Sequence, residues 1–260
     1  MIDEELAALV SAARAALEDA SGRGVRDEEV SARSAPSPAD REPVQDAIPA
    51  AAPRPASDWY SLAAADRADA LPPAIRLQQI RDEIGDCRRC GLCRERRQIV
   101  YGVGDPAARL VVLGEAPGYH EDQQGEPFVG PAGQMLDKML ENVIGLRRDQ
   151  VYILNAVKCR PPKNRNPEPD ELDACRPFLD AQLAAIAPKL ILVLGSVAYR
   201  ALFRTDSGIS RGRGRWHDHE GIPVMPTFHP AYLLRKPEDK KYTFEDLKAV
   251  KQRYEELGLT

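Results

Sequence analysis

From residue 87 onward, short apolar runs alternate with longer amphipathic stretches. The runs fall at residues 110–113, 151–154, 190–194 and 223–228, and each has the length of a buried strand. Helical periodicity occupies residues 133–143, 169–186, 197–203 and 243–257, and another helix begins near residue 71. Strands that alternate with helices form a parallel sheet covered by helices on both faces. The pattern therefore predicts an α/β fold with three layers, α/β/α, around a central, mostly parallel four-stranded sheet.

The first 70 residues have a different character. Residues 1–20 place Ile2, Leu6, Leu9 and Val10 at helical spacing behind an acidic first turn, which predicts a short amphipathic helix. It is either a marginal tail helix, because short isolated helices are barely stable in water, or a docking helix for a partner protein. Residues 21–70 are rich in Ala, Pro, Ser and Asp and predict a disordered linker. One α/β domain then occupies residues 71–260.

Charge is divided unevenly along the 260 residues. The chain carries a formal net charge of −4, with net −6 in residues 1–80 and net +2 in residues 81–260. An anionic partner of the α/β domain must therefore be met by local basic patches. No apolar run approaches the ~18 residues of a membrane span, and the acidic N-terminus lacks the basic start of a signal peptide. We expect a cytoplasmic protein with reduced thiols.

The loop after the first predicted strand carries the densest chemistry. It has the sequence GEAPG at residues 114–118, so two glycines and a proline fix a turn that a ligand can approach closely. Glu115 and Glu121 lie in or just after the turn, and Phe128 follows in a second loop framed by Gly and Pro. In open α/β sheets, ligands bind where loops leave the carboxyl ends of strands. The combination predicts a ligand site.

Two further strand ends present polar side chains. Asn155 follows the second predicted strand, and its amide has the donor and the acceptor that suit the edge of a nucleobase. His229 follows the last strand and precedes Pro230, in a position to donate to developing negative charge. Each residue alone has an ordinary structural explanation, in a turn or in the core. Their occurrence with Glu115 at three strand ends favours a functional crevice.

The cysteines point to a metal centre. Cys87 and Cys90 form a C-x2-C pair, and Cys159 and Cys175 supply two more thiols downstream. A tight pair with a distant pair can hold zinc or an iron–sulfur cluster, whereas disulfides are disfavoured in the cytoplasm. Spacing alone does not separate zinc from iron–sulfur, and it does not choose between Cys90 and Cys93.

Basic residues cluster in three loops, as expected of contacts to phosphates. They are Lys158, Arg160, Lys163 and Arg165, then Arg211, Arg213 and Arg215, then Arg235 and Lys236. Ser196 follows Gly195 at the start of a predicted helix, where free backbone N–H groups suit an anion.

Together these motifs resemble the family-4 uracil-DNA glycosylases, the iron–sulfur type within the uracil-DNA glycosylase superfamily. The matching segments are Cys87-x2-Cys90, GEAPGYHED at 114–122, PFVG at 127–130, Asn155 with KCRPP at 158–162, Cys175, and HPA at 229–231. The resemblance covers about residues 81 to 257. It implies an enzyme that flips uracil out of DNA and hydrolyses its N-glycosidic bond in base excision repair, leaving an abasic site. Uracil-containing DNA, single- or double-stranded, is the implied partner.

The resemblance also implies roles for individual residues. Phe128 stacks on the flipped uracil, Asn155 recognises its polar edge, and His229 stabilises negative charge on the leaving base. Gly114, Glu115 and Ala116 shape the pocket, and Ala116 stands where the best-known branch has a catalytic Asp, so Glu121 is expected to position the water. The resemblance implies that Ser196, Leu233 and Arg235 contact the DNA backbone or act as a wedge, and the basic clusters add Arg211 and Arg213 as expected DNA contacts. The implied cofactor is a [4Fe-4S] cluster on Cys87, Cys90, Cys159 and Cys175.

Two alternatives remain open on the sequence. One is a non-catalytic iron–sulfur protein that binds single-stranded DNA or senses redox state. The other is a zinc-stabilised nucleotide-binding or docking module organised by the N-terminal helix. If the enzyme interpretation holds, that helix tethers the glycosylase to replication or repair proteins at the nucleoid. We expect a monomer, because repair of one asymmetric lesion needs no second subunit.

Overall fold

The structure, a computed structural model, describes residues 71–259. The predicted helix at residues 1–20 and the predicted linker at residues 21–70 lie outside the described residues, and their assignments stay predictions. No helix within residues 71–259 has the length and apolar character needed to cross a bilayer.

Four parallel strands form the centre of the sheet, as the apolar runs predict. They are β2 (Leu110–Gly114), β3 (Tyr152–Asn155), β4 (Leu190–Leu194) and β6 (Ile222–Thr227), in the spatial order β3-β2-β4-β6. Strands β2, β3 and β4 are buried along their whole length, as expected for a parallel sheet covered on both faces.

The sheet has six strands rather than the predicted four. Strand β1 (Val103–Gly104) pairs antiparallel with β3, and β5 (His217–His219) pairs antiparallel with β6. Both are short edge strands, and β5 has the sequence HDH with half-exposed or exposed residues. Such segments carry no apolar alternation, so hydrophobic periodicity could not find them.

Helices cover both faces and confirm the three layers. They are α1 (Pro73–Ile84), α2 (Tyr119–Gln124), α3 (Pro131–Met139), α4 (Pro169–Ile186), α5 (Ser196–Phe203), α6 (Ile209–Gly212), α7 (Pro230–Arg235) and α8 (Lys240–Glu256). A π-helical turn, Leu140–Ile144, continues α3. Helices α1, α4 and α5 pack on one sheet face, and α3, α7 and α8 pack on the other.

The strand order places one crevice above the sheet. Chain connections run from β2 to β3 on one side of β2, while β4 pairs with its other side, so the order reverses at β2. Ligands bind in such folds at the carboxyl ends of the strands beside this reversal. The loops after β2, β3, β4 and β6 all open at this edge.

Candidate active site

Gly114 is the point that two site residues, Asn155 and Phe128, both approach. It ends β2 and pairs with Asn155 at the end of β3. A Cβ at Gly114 would lie 2.3 Å from Asn155 Oδ1 and 2.6 Å from the edge of the Phe128 ring. No side chain fits there, so glycine is what allows the amide and the ring to approach the same stretch of backbone.

Phe128 is held in an uncommon backbone conformation next to His229. Its φ is +56°, its side chain is 5% exposed, and its ring centroid lies 5.5 Å from that of His229 with 30° between the planes. Arg148 donates a hydrogen bond to the carbonyl of Pro127 and thereby holds the loop that carries Phe128. A non-glycine residue with positive φ is costly and is common at ligand sites.

A hydrogen bond to Nδ1 of His229 determines which tautomer of the imidazole is present. His229 caps the N-terminus of α7, and its Nδ1 accepts from the backbone N–H of Ala231 at 3.1 Å. Burial, with the neighbouring positive charge of Arg235, lowers the pKa of His229 to about 4. The imidazole is therefore neutral at physiological pH, and because Nδ1 is an acceptor, Nε2 carries the proton.

Asn155 has a buried oxygen with no partner. The residue is 2% exposed, and its Oδ1 has no hydrogen-bond partner within residues 71–259. A buried unpaired carbonyl oxygen costs about 1–3 kcal/mol. An acceptor kept in this state at the end of a central strand is positioned for a donor that a ligand supplies.

Glu121 fastens two loops together. Its Oε2 accepts from the backbone N–H of Gly118 at 3.0 Å, and its Oε1 accepts from those of Val129 and Gly130 at 3.1 and 3.3 Å. Both carboxylate oxygens are thus engaged by backbone groups. The residue holds the 114–118 loop against the Phe128 loop.

Glu115 is a carboxylate without such partners. It is half-buried, and within the described chain no group hydrogen-bonds to its side chain. Burial raises its pKa to about 6, partly opposed by the positive charge of Arg200. A carboxyl group with a pKa near the working pH can accept a proton from water.

The crevice thus combines an unpaired amide oxygen, an aromatic ring and a neutral imidazole donor, and Glu115, which follows Gly114 in the chain, has a carboxyl group whose pKa is raised by burial. Residues 101–254 match the family model described as the uracil DNA glycosylase superfamily.

The chain belongs to this superfamily.

Its relatives include three proteins named type-4 uracil-DNA glycosylase. That of Sulfurisphaera tokodaii is 43% identical over 184 residues, which cover 68% of this chain and 84% of the relative. That of Archaeoglobus fulgidus is 42% identical over 67% of this chain and 91% of the relative. That of Thermotoga maritima is 41% identical over 67% of this chain and 93% of the relative. The resemblance of the motifs to the type-4 glycosylases is therefore confirmed.

Outside the crevice, four cysteines line one cavity between the 87–96 loop, the segment after β3, and α4. They are Cys87, Cys90, Cys159 and Cys175, and Cys93 is not among the lining residues. Burial raises the pKa of Cys159 to about 12 and that of Cys175 to about 11, so without a metal these thiols are protonated. Within residues 71–259, no three ligating side chains are close enough to share a single metal ion.

Three cations surround these sulfurs. Arg89 lies 3.4 Å from Cys87 Sγ, and Arg96 lies 3.5 Å from Cys159 Sγ. Lys158, predicted as a phosphate contact, is instead buried at 2% exposure beside the cavity, and its Nζ donates to the carbonyl of Asn155 at 2.6 Å. The reason is the direction of the chain after β3, which turns Lys158 inward toward the cysteines.

The other predicted DNA contacts differ in their exposure to solvent. Ser196 begins α5 half-buried, with its hydroxyl accepting from Arg200 at 3.1 Å, and Arg211 and Arg235 are exposed. Leu233, predicted as a wedge, is 1% exposed and packs in the core, while the next residue, Leu234, is 45% exposed. The rotation of α7 explains this correction, because Leu233 lies on the face that packs against the sheet.

Arg213 and Arg165 are both engaged in ion pairs within the protein. Arg213 pairs with Asp246 of α8 at 2.5 Å, and Arg165 pairs with Glu171 of α4 at 2.7 Å. Both acidic partners are buried, and of the two arginines Arg213 is the more enclosed, with a side chain that is 17% exposed against 38% for Arg165. Spacing could not distinguish arginines that pair with buried carboxylates from those that face solvent.

One residue that the sequence pattern did not single out lies near the crevice. Tyr119 is 52% exposed at the start of α2, directly after the 114–118 loop, and the Arg160 guanidinium lies 5.1 Å from its ring centroid. Stacked aromatic and guanidinium groups are suited to unpaired bases. An aromatic residue next to the GEAPG loop was the available signal.

Proposed function

We propose that this protein is a uracil-DNA glycosylase that releases uracil from DNA and leaves an abasic site. One observation carries the proposal: the buried and unpartnered Oδ1 of Asn155 lies beside Gly114, and the edge of the Phe128 ring lies beside the same glycine. A flipped uracil supplies the missing donor through N3–H, while its O4 accepts from the Asn155 amide. Neither the DNA-binding nor the zinc-module alternative explains why a buried acceptor is left open here.

His229 assists cleavage of the N-glycosidic bond. As the N-glycosidic bond breaks, its electron pair moves to the uracil ring and charge grows on O2. The neutral His229 donates Nε2–H to that oxygen and stabilises the leaving anion. Phe128 stacks on the ring and holds it in the crevice. The sugar becomes cation-like and is captured by water at its anomeric carbon.

Glu115 is the better candidate for guiding that water. Its carboxylate has no hydrogen-bond partner within the described residues and a pKa raised by burial to about 6, whereas both Glu121 oxygens accept from backbone N–H groups. We therefore assign the water to Glu115 and the support of the pocket to Glu121. In this scheme the water's proton passes to Glu115 as the new C–O bond forms.

The direct test uses end-labelled DNA with a single uracil. Purified full-length protein is incubated with single- and double-stranded forms, and abasic sites are cleaved with alkali. A product that depends on uracil establishes the activity. Absence of product on both substrates, from protein that retains its metal centre, would refute the proposal.

Asn155→Leu is expected to affect activity and stability in opposite directions. It removes the buried unpaired oxygen, so the free energy of unfolding is unchanged or rises by up to about 1–2 kcal/mol. It also removes the hydrogen bonds to uracil, so the rate of excision falls by about ten- to a hundredfold. Thermal melting and single-turnover assays on the same preparation check both signs. A variant that is destabilised and equally active would contradict the assignment.

The cavity lined by cysteines fits a [4Fe-4S] cluster. Its chemistry would be structural, since thiolates from three chain segments would bind one centre and join the 87–96 loop to the segment that follows β3. Four cysteines around one cavity suit a polynuclear cluster, and the nearby arginines and Lys158 would offset the thiolate charge. The lining favours Cys90 over Cys93 as a ligand.

A matched pair of variants tests the ligand set. Cys159→Ser is expected to lose iron, sulfide and visible absorption and to melt at a lower temperature, because metal binding contributes to folding. Cys93→Ser is expected to retain all of these, since Cys93 does not line the cavity. Equal loss in both variants would refute this assignment, and stoichiometric zinc without iron in protein purified anaerobically would refute the cluster.

DNA contacts are proposed for exposed groups around the crevice. Arg211, Arg235 and the N-terminus of α5 at Ser196 suit backbone phosphates. Leu234 replaces Leu233 as the side chain that can enter the space left by the flipped base.

The N-terminal segment is proposed to tether this domain to a replication or repair protein, which deletion of residues 1–70 and pull-down would test. We retain the proposal of a monomer acting in the cytoplasm at the nucleoid.

A further inference from the structure

An ion pair lies directly behind the loop that carries His229. Asp246 of α8 has a side chain that is 1% exposed, and Arg213 binds it through two nitrogens: Nε to Oδ2 at 3.0 Å and Nη2 to Oδ1 at 2.5 Å. Thr227, the last residue of β6, donates from Oγ1 to Asp246 Oδ2 at 2.6 Å. The carboxylate therefore joins the arginine loop to the end of β6, two residues before His229.

The same guanidinium supports the residue between Thr227 and His229. It lies 5.3 Å from the ring centroid of Phe228 and 5.1 Å from that of Tyr242, and its Nη2 donates to the Tyr242 carbonyl at 2.7 Å. Arg213 thus contacts α8 and the backbone segment that turns from β6 into α7.

The glycines around Arg213 have a structural reason. Gly214 has φ +72°, and a Cβ there would lie 3.3 Å from Asp246 Oδ1. The close approach of the loop to Asp246 therefore needs glycine. The Gly-Arg-Gly-Arg pattern, which the sequence suggested as a flexible phosphate contact, instead inserts one arginine into the protein and leaves Arg211 and Arg215 exposed.

Buried ion pairs contribute little net stability, because desolvation offsets the attraction. We propose that the Arg213–Asp246 pair, with Thr227, is a positioning device that holds Phe228 and His229 so that Nε2 faces the leaving uracil oxygen. Arg213 is then a positioning residue for the reaction and not a DNA contact. This inference rests on the proposed glycosylase function.

Two variants, each of which removes one arginine charge from residues 211–213, distinguish a positioning role for Arg213 from a contact with DNA. Arg213→Gln is expected to lower the single-turnover rate at saturating DNA by about ten- to a hundredfold, since a displacement near 1 Å at the reacting group has that effect. Its DNA dissociation constant and the salt dependence of binding stay those of the wild type. Arg211→Gln is expected to weaken DNA binding and to reduce the salt slope by about 1.

Controls keep the test decisive. Arg253 lies on α8, the helix that carries Asp246, and pairs with Glu256. Arg253→Gln removes this exposed charge and is expected to change neither the single-turnover rate nor the affinity for DNA. If Arg213→Gln fails to fold, Arg213→Lys and Thr227→Val replace it, each expected to lower the rate with unchanged DNA affinity.

The inference is overturned if Arg213→Gln behaves like Arg211→Gln, with weaker DNA binding and a smaller salt slope. It is also overturned if the Arg213 variants keep the wild-type rate. An inactive wild-type protein would instead refute the glycosylase proposal, while the salt slopes, which need no turnover, would still show whether Arg213 contacts DNA.

Discussion

Replacing His229 with alanine is expected to lower the single-turnover rate of uracil excision by about 10²–10³, the usual effect of removing one preorganised donor to a developing oxyanion. Binding of uracil-containing DNA should change little, because the hydrogen bond strengthens only as charge grows on the leaving base. Rapid-quench measurements at saturating enzyme check the rate, and equilibrium binding checks the affinity.

Two matched variants identify the nitrogen that acts. Nδ1 of His229 accepts from the Ala231 N–H, so Nε2 is the donor. Glutamine can place an amide N–H near the position of Nε2, whereas asparagine reaches only the position of Nδ1. His229→Gln should therefore recover part of the lost rate, and His229→Asn should not. The reverse order would contradict the assigned tautomer.

The protonation state of His229 gives a second check. With a pKa near 4, the imidazole stays neutral from pH 6 to 8, so the wild-type rate should not fall as pH rises through this range. A rate that falls through this range in the wild type and is flat in His229→Ala would show that the imidazolium is the donor, and this mechanism would be wrong.

The sequence was sufficient for the residues at the ends of the strands. Apolar runs locate β2, β3, β4 and β6 in a parallel sheet, and parallel strands bring their carboxyl ends to one edge. That rule alone predicts that Glu115, Asn155 and His229 lie at the same edge of the sheet. The edge strands β1 and β5 depend on pairing with a finished neighbour, and their own side chains carry no signal for it.

The sequence was insufficient where side-chain direction decides the role. Lys158 and Arg213 are predicted to contact phosphates because they are charged, and Leu233 is predicted to act as a wedge. All three side chains are instead packed within the protein. Their orientation depends on the rotation of α7, on the turn after β3 and on Asp246, which is distant in sequence from its partner. Glu115 and Glu121 posed the same problem, because only the positions of backbone N–H groups show which carboxylate is already engaged.

Glu115→Gln is expected to lower the rate of excision by about 10²–10⁴, the range for loss of a general base. The shape of the crevice is retained, so DNA affinity should stay close to that of the wild type. Glu121→Gln is the matched control: it weakens the acceptor for the Gly118 and Val129 N–H groups and should lower the free energy of unfolding by about 1–3 kcal/mol. A larger catalytic loss in Glu121→Gln, without destabilisation, would return the water to Glu121.

The pH dependence of Glu115 links activity to stability with opposite signs. Because the base must be ionised, wild-type kcat/KM should fall as pH drops below about 6, and Glu115→Gln should lack this acid limb. A raised carboxyl pKa means that the folded state holds the proton more tightly, so the wild type loses stability relative to Glu115→Gln as pH rises from the unfolded value of 4.5 to about 6. The loss amounts to about 1–2 kcal/mol, since each pKa unit corresponds to about 1.4 kcal/mol. Denaturant titrations of both proteins at pH 4.5 and 7 measure it. An acid limb that persists in Glu115→Gln would assign the ionisation, and with it the activation of water, to another group.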